Sequence, residues 1–403
     1  MGNTSKTEPN KVGLGQEIVG LLKTNIRDYM MYIVLIVIMA IFTFATKGGF
    51  IQARNISNLI NQVGYVAILA IGMTLILILK QIDLAVGYVA GTCGAVAAIL
   101  MTQAGINEWI AILIVLVLGL VIGLYQGLLV TRVGVPAFVT TLAGQFMFRG
   151  ILNLSLQKTG TIIVPNKAFN ALSNGFIPDI PGVDLGFHLL TLIIGIIAVV
   201  LTIVSQIKAR RNKQKYNFKV TSAPVFITGL VVVSVIIMAI IWVLASYSGI
   251  PWTAVIVGVV LLVYNYMLNK TRLGRYIYGI GGNDQAAELS GVDVKQVTLF
   301  AFCSMGVLSA LAGVLYTSRL QSATPTAGLG FELDAIASAY IGGTAVSGGI
   351  GKVTNTIIGA LIIIALTNGM NLMYVDISYQ YIVKGIIFII AVAFDVRTRS
   401  KAR

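Results

Sequence analysis

Apolar stretches of about twenty residues alternate with short polar connections along most of this chain. They fall at 29–46, 63–80, 84–102, 109–130, 134–155, 187–206, 223–245, 251–269, 297–317, 353–373 and 380–396. A helix needs about 20 consecutive apolar residues to cross a bilayer. The pattern therefore predicts an all-α, polytopic integral membrane protein of about 10–12 transmembrane helices. One glycine-rich segment, 335–348, cannot fully span as a regular helix and reads as a short broken segment; counting it as a crossing gives twelve.

Composition agrees, with 57% hydrophobic and 10% charged residues where a soluble domain carries about 25% charged. The formal net charge of +14 does not gather in one patch, as nucleic-acid binding requires. It falls between apolar runs, the pattern of membrane orientation. Lys and Arg mark cytoplasmic connections: Lys208, Arg210, Arg211, Lys213, Lys215 and Lys219; then Lys270, Arg272 and Arg275; then Arg397, Arg399, Lys401 and Arg403. Both termini are accordingly placed in the cytoplasm, and an external loop at 156–186, with Lys158 and Lys167 against Asp179 and Asp184, lies outside. The expected organisation is a cytoplasmic tail (1–28), one transmembrane domain (29–396) and a basic cytoplasmic tail (397–403). In the first tail, Val12, Ile18, Val19, Leu21, Leu22 and Ile26 recur at helical spacing. That suits a helix lying on the membrane surface as well as a solvated tail.

Several runs are loaded with small residues: Gly87 and Gly91; Gly119, Gly123 and Gly127; Gly306, Ala310 and Gly313. Near-four spacing puts each set on one helix face, so these faces are expected to be packing seams. Cys93 and Cys303 sit in apolar runs and His188 is the sole histidine. They suggest neither a disulfide framework nor a metal site. Every Asp and Glu is expected at a span end or in a loop, which disfavours a proton relay while leaving a sodium-coupled carrier open. Gly351 and Lys352 lack the rest of a phosphate-binding loop. No cofactor is expected in this chain, and any ATP and magnesium would be held by a partner. Asp83 is expected to cap the helix starting near Leu84, with a gating role as the alternative; Arg149 and Lys384 are expected to snorkel to the interface.

The stretch "GIGGNDQAAELSGVDV", residues 279–294, interrupts this pattern. It lies in the cytoplasmic loop 270–296, where Asn283 or Asp284 is a suitable N-cap and Gly291 a suitable stop for a helix under two turns. Such a helix cannot stand alone in water. Ala286, Ala287 and Leu289 would offer a small apolar knob beside Glu288. An ordinary loop packed on its own helices is the plainer reading.

The run Gly281, Gly282, Asn283, Ala286, Ala287, Ser290, Gly291 resembles the cytoplasmic loop of the permease subunits of ribose- and xylose-type sugar ABC importers. Further similarity runs through "GMTLILILKQIDLAVG" from Gly72, "GVPAFVTTLAGQFMFRGI" from Gly134, "AYIGGTAVSGGIGKVTNTIIGALI" from Ala339, "TNGMNLM" from Thr367 and "YQYIVKGIIFIIAVAFD" from Tyr379. The extra length around 206–250 looks most like the xylose and multiple-monosaccharide permeases. Three positions depart from the pattern: Ala85 where Ser is frequent, Ala137 in place of a second proline, and Val292 in place of Ile.

The resemblance implies a bacterial inner-membrane subunit that pairs with a second permease copy, receives sugar from an extracytoplasmic binding protein, and docks an ATPase subunit on Gly282, Asn283, Ala286, Ala287, Glu288, Ser290 and Gly291. The external loop, with Pro165, Phe169, Phe176, Pro178 and Pro181, would form part of the surface for the binding protein, a partnerless cap being the alternative. A sugar path needs polar groups and aromatic faces. Phe138, Thr141 and Gln145 share a helix face by spacing and are the first candidates; Ser338, Tyr340, Thr344 and Ser347, in the broken segment, are the second. Thr141 and Gln145 would serve equally as hydrogen-bond partners between helices. A self-sufficient secondary carrier or channel is the alternative function.

Overall fold

The computed structural model describes residues 26–182, 186–218 and 220–400. Most of the N-terminal tail, with its proposed surface helix, lies outside the described residues, as do Asp184, Lys219, Lys401 and Arg403. Fifteen α-helices are described. In chain order they are α1 (Ile26–Ala45), α2 (Ala53–Ile78), α3 (Val86–Thr102), α4 (Glu108–Leu128), α5 (Ala137–Leu156), α6 (Lys167–Asn174), α7 (Leu189–Lys215), α8 (Ala223–Ala245), α9 (Trp252–Lys270), α10 (Arg272–Gly282), α11 (Asp284–Leu289), α12 (Val294–Leu320), α13 (Phe331–Ile341), α14 (Val353–Leu372) and α15 (Ile377–Ser400). Seven are long and apolar enough to cross a membrane, and shorter apolar helices lie at Met30–Ala45, Val86–Thr102 and Ile377–Ile390. The all-α polytopic architecture read from the sequence is the one observed.

The chain divides into two compact units. The larger comprises Met31–Pro178 and Ser248–Arg403; the smaller is built around Asp179–Tyr247. At the centre of the larger unit stands α12, packed by α2, α3 and α4. The glycine seams explain how. Gly119 and Gly123 lie against the backbone of Gly306, Phe302 and Cys303, and Gly313 lies against Ala90 and Gly94, so closely that no side chain fits at Gly306 or Gly313. Backbones meet directly where the side chains are absent. The only sheet among the described residues, a two-residue antiparallel pair of β1 (Ile162–Ile163) with β2 (Ser322–Ala323), ties the loop at 156–186 to the far end of α12.

Two departures from the sequence pattern shape the interior. First, α2 starts at Ala53 rather than near residue 63, because Asn55, Ser57 and Asn61 are buried in the bundle. Asn55 Nδ2 donates to Asn368 Oδ1 at 2.9 Å and to the Phe50 carbonyl at 2.8 Å. Polar side chains that satisfy one another inside a bundle look like loop in a hydropathy reading. Second, α3 and α13 both begin partway along α12. Ala90 of α3 sits beside Gly313, about 28 Å along α12 from Val294 at 1.5 Å per residue. The non-helical connection from Leu79 therefore runs back into the bundle before α3 starts. The N-terminal turn of α13 meets the same level, with Gly328 and Glu332 against Gly87.

The broken segment is thus an 11-residue helix followed by a glycine-rich return loop. At about 16 Å it is too short to be a crossing.

The smaller unit contains the α7–α8 hairpin. Gly195 lies against Ile241, and the Asp179 carboxylate caps α7, accepting from the Leu189 and Leu190 amides at 2.8 Å each. Those amides, Leu190 first, hold the carboxyl below the usual carboxylate range, with His188 adding a smaller electrostatic contribution.

Candidate functional site

The loop at 270–296 folds into two short helices. Thr271 caps α10, its Oγ1 accepting from the Gly274 amide at 3.2 Å. Asn283 caps α11, its Oδ1 accepting from the Ala286 amide at 3.0 Å. Gly291, at φ 83°, ends it; its amide donates to the Glu288 carbonyl at 2.9 Å. A left-handed turn just past a helix end is where glycine costs least.

This element is held partly by close backbone contacts. Gly281 lies against the Ile78 carbonyl and Gly349, with no space for a Cβ. The Gly349 amide donates to Ile78 O at 2.9 Å, and Tyr278 Oη donates to Gly351 O at 2.7 Å. The end of α2, the α10–α11 pair and the glycine-rich loop 342–351 therefore form one assembly.

The residues picked from the sequence for docking do not all point the same way. Gly282, Asn283, Ala286, Glu288, Ser290 and Gly291 are exposed. Ala287 is not: it is 8% exposed and joins the core that includes Ile277, Ile280 and Val297. The knob is instead Leu289, 91% exposed, beside Ala286. Along α11, Ala287 is the anchor and Leu289 the free side chain.

The path candidates also separate. Thr141 is fully buried on the stripe of α5 that runs through Ala137, Gly144 and Phe148. Its Oγ1 donates to Ala137 O at 2.9 Å and to Ile82 O at 3.3 Å, so it satisfies the non-helical strand leading into α3. Gln145 is half-buried, and its Nε2 donates to Glu332 Oε1 at 3.0 Å. Phe138 is exposed on the other flank and does not join them. In the broken segment, Ser338 Oγ donates to Asp334 O at 2.6 Å, Tyr340 stacks on Phe388 with centroids 6.0 Å apart, and Thr344 is buried in the return loop. Asp83 is 3% exposed and its Oδ1 accepts from the Ala85 amide at 2.9 Å; the helix it leads into begins at Val86. Of the residues picked in the loop at 156–186, Pro165, Pro178 and Pro181 are exposed. Phe169 is wholly buried, its carbonyl accepting from Ser318 Oγ at 2.8 Å, so it cannot face a partner.

Two residues were missed by the sequence reading. Glu332 is 6% exposed and sits on α13 inside the bundle, not at a span end. Asp334, two residues further along α13, accepts from Lys384 Nζ at 3.0 and 3.1 Å. Lys384 therefore turns inward to a carboxylate instead of snorkelling. Arg149 lies over the Tyr88 ring, 5.8 Å from its centroid. The available signal was the alternation "FELDA" at the head of an apolar segment, two acids with no basic residue nearby in sequence.

Residues 55–392 match the family described as the branched-chain amino acid transport system / permease component. The xylose transport system permease protein XylH of Haemophilus influenzae is 38% identical over 94% of this chain and 99% of its own length. XylH of Escherichia coli is 36% identical over 99% of this chain and 100% of its own. The ribose import permease protein RbsC of Escherichia coli is 33% identical over 90% of this chain and 92% of its own. No solved structure matches. The chain therefore belongs to this family of membrane permease components, alongside the xylose and ribose permeases it resembles.

Proposed function

We propose that this chain is the transmembrane permease subunit of an ATP-driven importer, forming the path for a monosaccharide such as xylose, galactose or glucose delivered by an extracytoplasmic binding protein. The observation that carries the reading is similarity to xylose permeases along 94–99% of the chain, the exposed α11 element included. Two copies would enclose one path, both termini would lie in the cytoplasm, and no bond is made or broken here. ATP and magnesium belong to a separate ATPase subunit, which the exposed face of α11, led by Leu289, would grip. A short helix anchored by one buried alanine and presenting one free leucine suits a socket in a partner.

A second reading, a self-sufficient carrier, draws support from Glu332, since a buried carboxylate among helices is what proton relays use. Affinity purification of the tagged chain from its host in mild detergent separates the two. A stoichiometric ATPase is expected. A chain recovered alone, and moving solute down a proton gradient without ATP, would overturn the importer reading.

A further inference from the structure

Six Lys and Arg residues fall within the twelve positions 208–219, and no Asp or Glu occurs anywhere between Asp184 and Asp284. The other basic clusters are built differently. Lys270, Arg272 and Arg275 share their loop with Asp284, Glu288 and Asp293, and the C-terminal cluster follows Asp395. An excess of positive charge sets membrane orientation, but orientation alone asks for no particular helix face and no exclusion of carboxylates.

The α7–α8 hairpin supplies both a level and a face. Helix α7 runs from Leu189 to Lys215. About 20 of its residues, as far as Lys208, fill about 30 Å of hydrocarbon, and its last two turns project about 10 Å beyond. Arg210 lies over the Phe226 ring, 4.6 Å from its centroid, which puts the first turn of α8 at the same level. Along α7, Ile197, Leu201 and Val204 continue into Lys208, Arg211 and Lys215 at spacings of three and four, so all six share one face. All six are exposed. The side chains of Lys208, Arg211 and Lys215 make no hydrogen bond or ion pair with a described residue. Tyr216 and Phe218, 70% and 66% exposed, follow directly, and aromatic side chains of this kind belong at headgroup level. Nearer the bilayer centre, only 11% of the most apolar window of α7 and 6% of that of α8 is buried inside the protein. Lipid chains are therefore what the apolar part of this face meets, and headgroups are what its basic end meets.

We infer that Lys208, Arg211 and Lys215 bind the phosphate of an anionic phospholipid, with its acyl chains along Ile197, Leu201 and Val204. The inference does not use the importer reading; it needs only the membrane location. An ammonium or guanidinium on a phosphate oxygen makes a short, charge-assisted hydrogen bond. Each basic residue near an anionic lipid surface is worth about five-fold in affinity, about 1 kcal/mol. A zwitterionic headgroup carries its own ammonium against the phosphate and gains less. The continuity of apolar and basic positions on one face matches an amphiphile, which a soluble polyanion is not.

The test holds the tagged full chain on affinity resin in a neutral detergent. Labelled phosphatidylglycerol, or phosphatidylcholine with the same acyl chains, is equilibrated with it and the bound lipid counted. The wild type should prefer the anionic lipid by more than about ten-fold, up to the roughly 100-fold that three residues at five-fold each allow. In Lys208→Gln/Arg211→Gln/Lys215→Gln the two lipids should bind alike, with the unfolding temperature unmoved because the three side chains are exposed. Lys270→Gln/Arg272→Gln/Arg275→Gln removes the same charge elsewhere and should keep the preference. Raising salt from about 0.1 M to about 1 M shortens the screening length from about 10 Å to about 3 Å and should abolish the preference in the wild type, a result that needs no variant. Equal retention of both lipids by the wild type overturns the site, as does a preference that survives the 208–215 changes or disappears equally with those at 270–275. Glycerophosphate, which has the phosphate without acyl chains, should not compete. Full displacement of the lipid by it, or by a labelled oligonucleotide, overturns the lipid assignment in favour of a soluble polyanion, and each of these failures leaves the importer reading standing.

Discussion

The α7–α8 hairpin is more apolar than α12, yet only 6% of the most apolar window of α8 is buried inside the protein against 72% of that of α12. The difference lies in side-chain size. Along α12, glycines and alanines recur where α3 and α4 approach, and backbone meets backbone. In α8, a side chain added at Gly229 would meet nothing within 4 Å, and Ile227, Val231, Val235 and Ile236 are exposed. Hydropathy marks a helix for the membrane; small residues in register decide whether it faces protein.

Swapping side chains between these settings should expose the contrast most strongly. Gly306→Val on α12 would drive a branched side chain into the Gly119 and Gly123 backbone, and overpacking of this kind costs about 3 kcal/mol or more. Gly229→Val on α8 should stay within about 0.5 kcal/mol. Thermal unfolding of the two purified variants in detergent compares them directly; equal loss would refute the seam.

Next in size is the buried ion pair. Lys384→Met leaves the Asp334 carboxylate buried without its partner, at a cost of about 3 kcal/mol, and α15 should loosen. Adding Asp334→Asn should recover much of that stability. If the double variant unfolds as early as the single one, the pair does not hold α15.

A smaller effect on stability but a large one on coupling is expected on α11. Leu289→Asp changes a fully accessible side chain, so unfolding temperature should not move, while the ATPase should be lost from the purified complex. Ala287→Arg should instead destabilise the fold, because that residue is anchored in the core. Should Leu289→Asp retain the ATPase, α11 is not the contact.

The least effect is expected at the cap of α7. The depressed Asp179 carboxyl contributes to stability above the ordinary carboxylate value of about 3.9. That contribution fades as pH falls through its lower folded value. Hydrogen exchange at Leu189 and Leu190 should therefore quicken at acid pH in the wild type but show no such step in Asp179→Asn.

Much of this was legible in the sequence. Every long helix was visible as an apolar run, the seams as glycines at near-four spacing, and α11 as an Asn-to-Gly interval between caps. What hid were features whose polarity is satisfied inside the protein. Asn55 and Asn61 masked the first turns of α2, since buried amides read as loop. Glu332 and Asp334 seemed to lie outside a span because their partners, Gln145 and Lys384, are 187 and 50 residues away along the chain. The mid-bundle start of α3 was hidden too, for the non-helical segment leading into it carries the buried Asp83 and Ala85. Pairing across such distances is a property of the fold, and local pattern carries no trace of it.

The central claim, that another chain's ATP drives sugar through this one, is tested most directly in proteoliposomes holding the permease, its co-purifying ATPase and the binding protein. Uptake of labelled D-xylose is expected only when ATP is on the ATPase side, and should cease with a non-hydrolysable analogue. Uptake by the permease alone, driven by an ion gradient, would contradict the account.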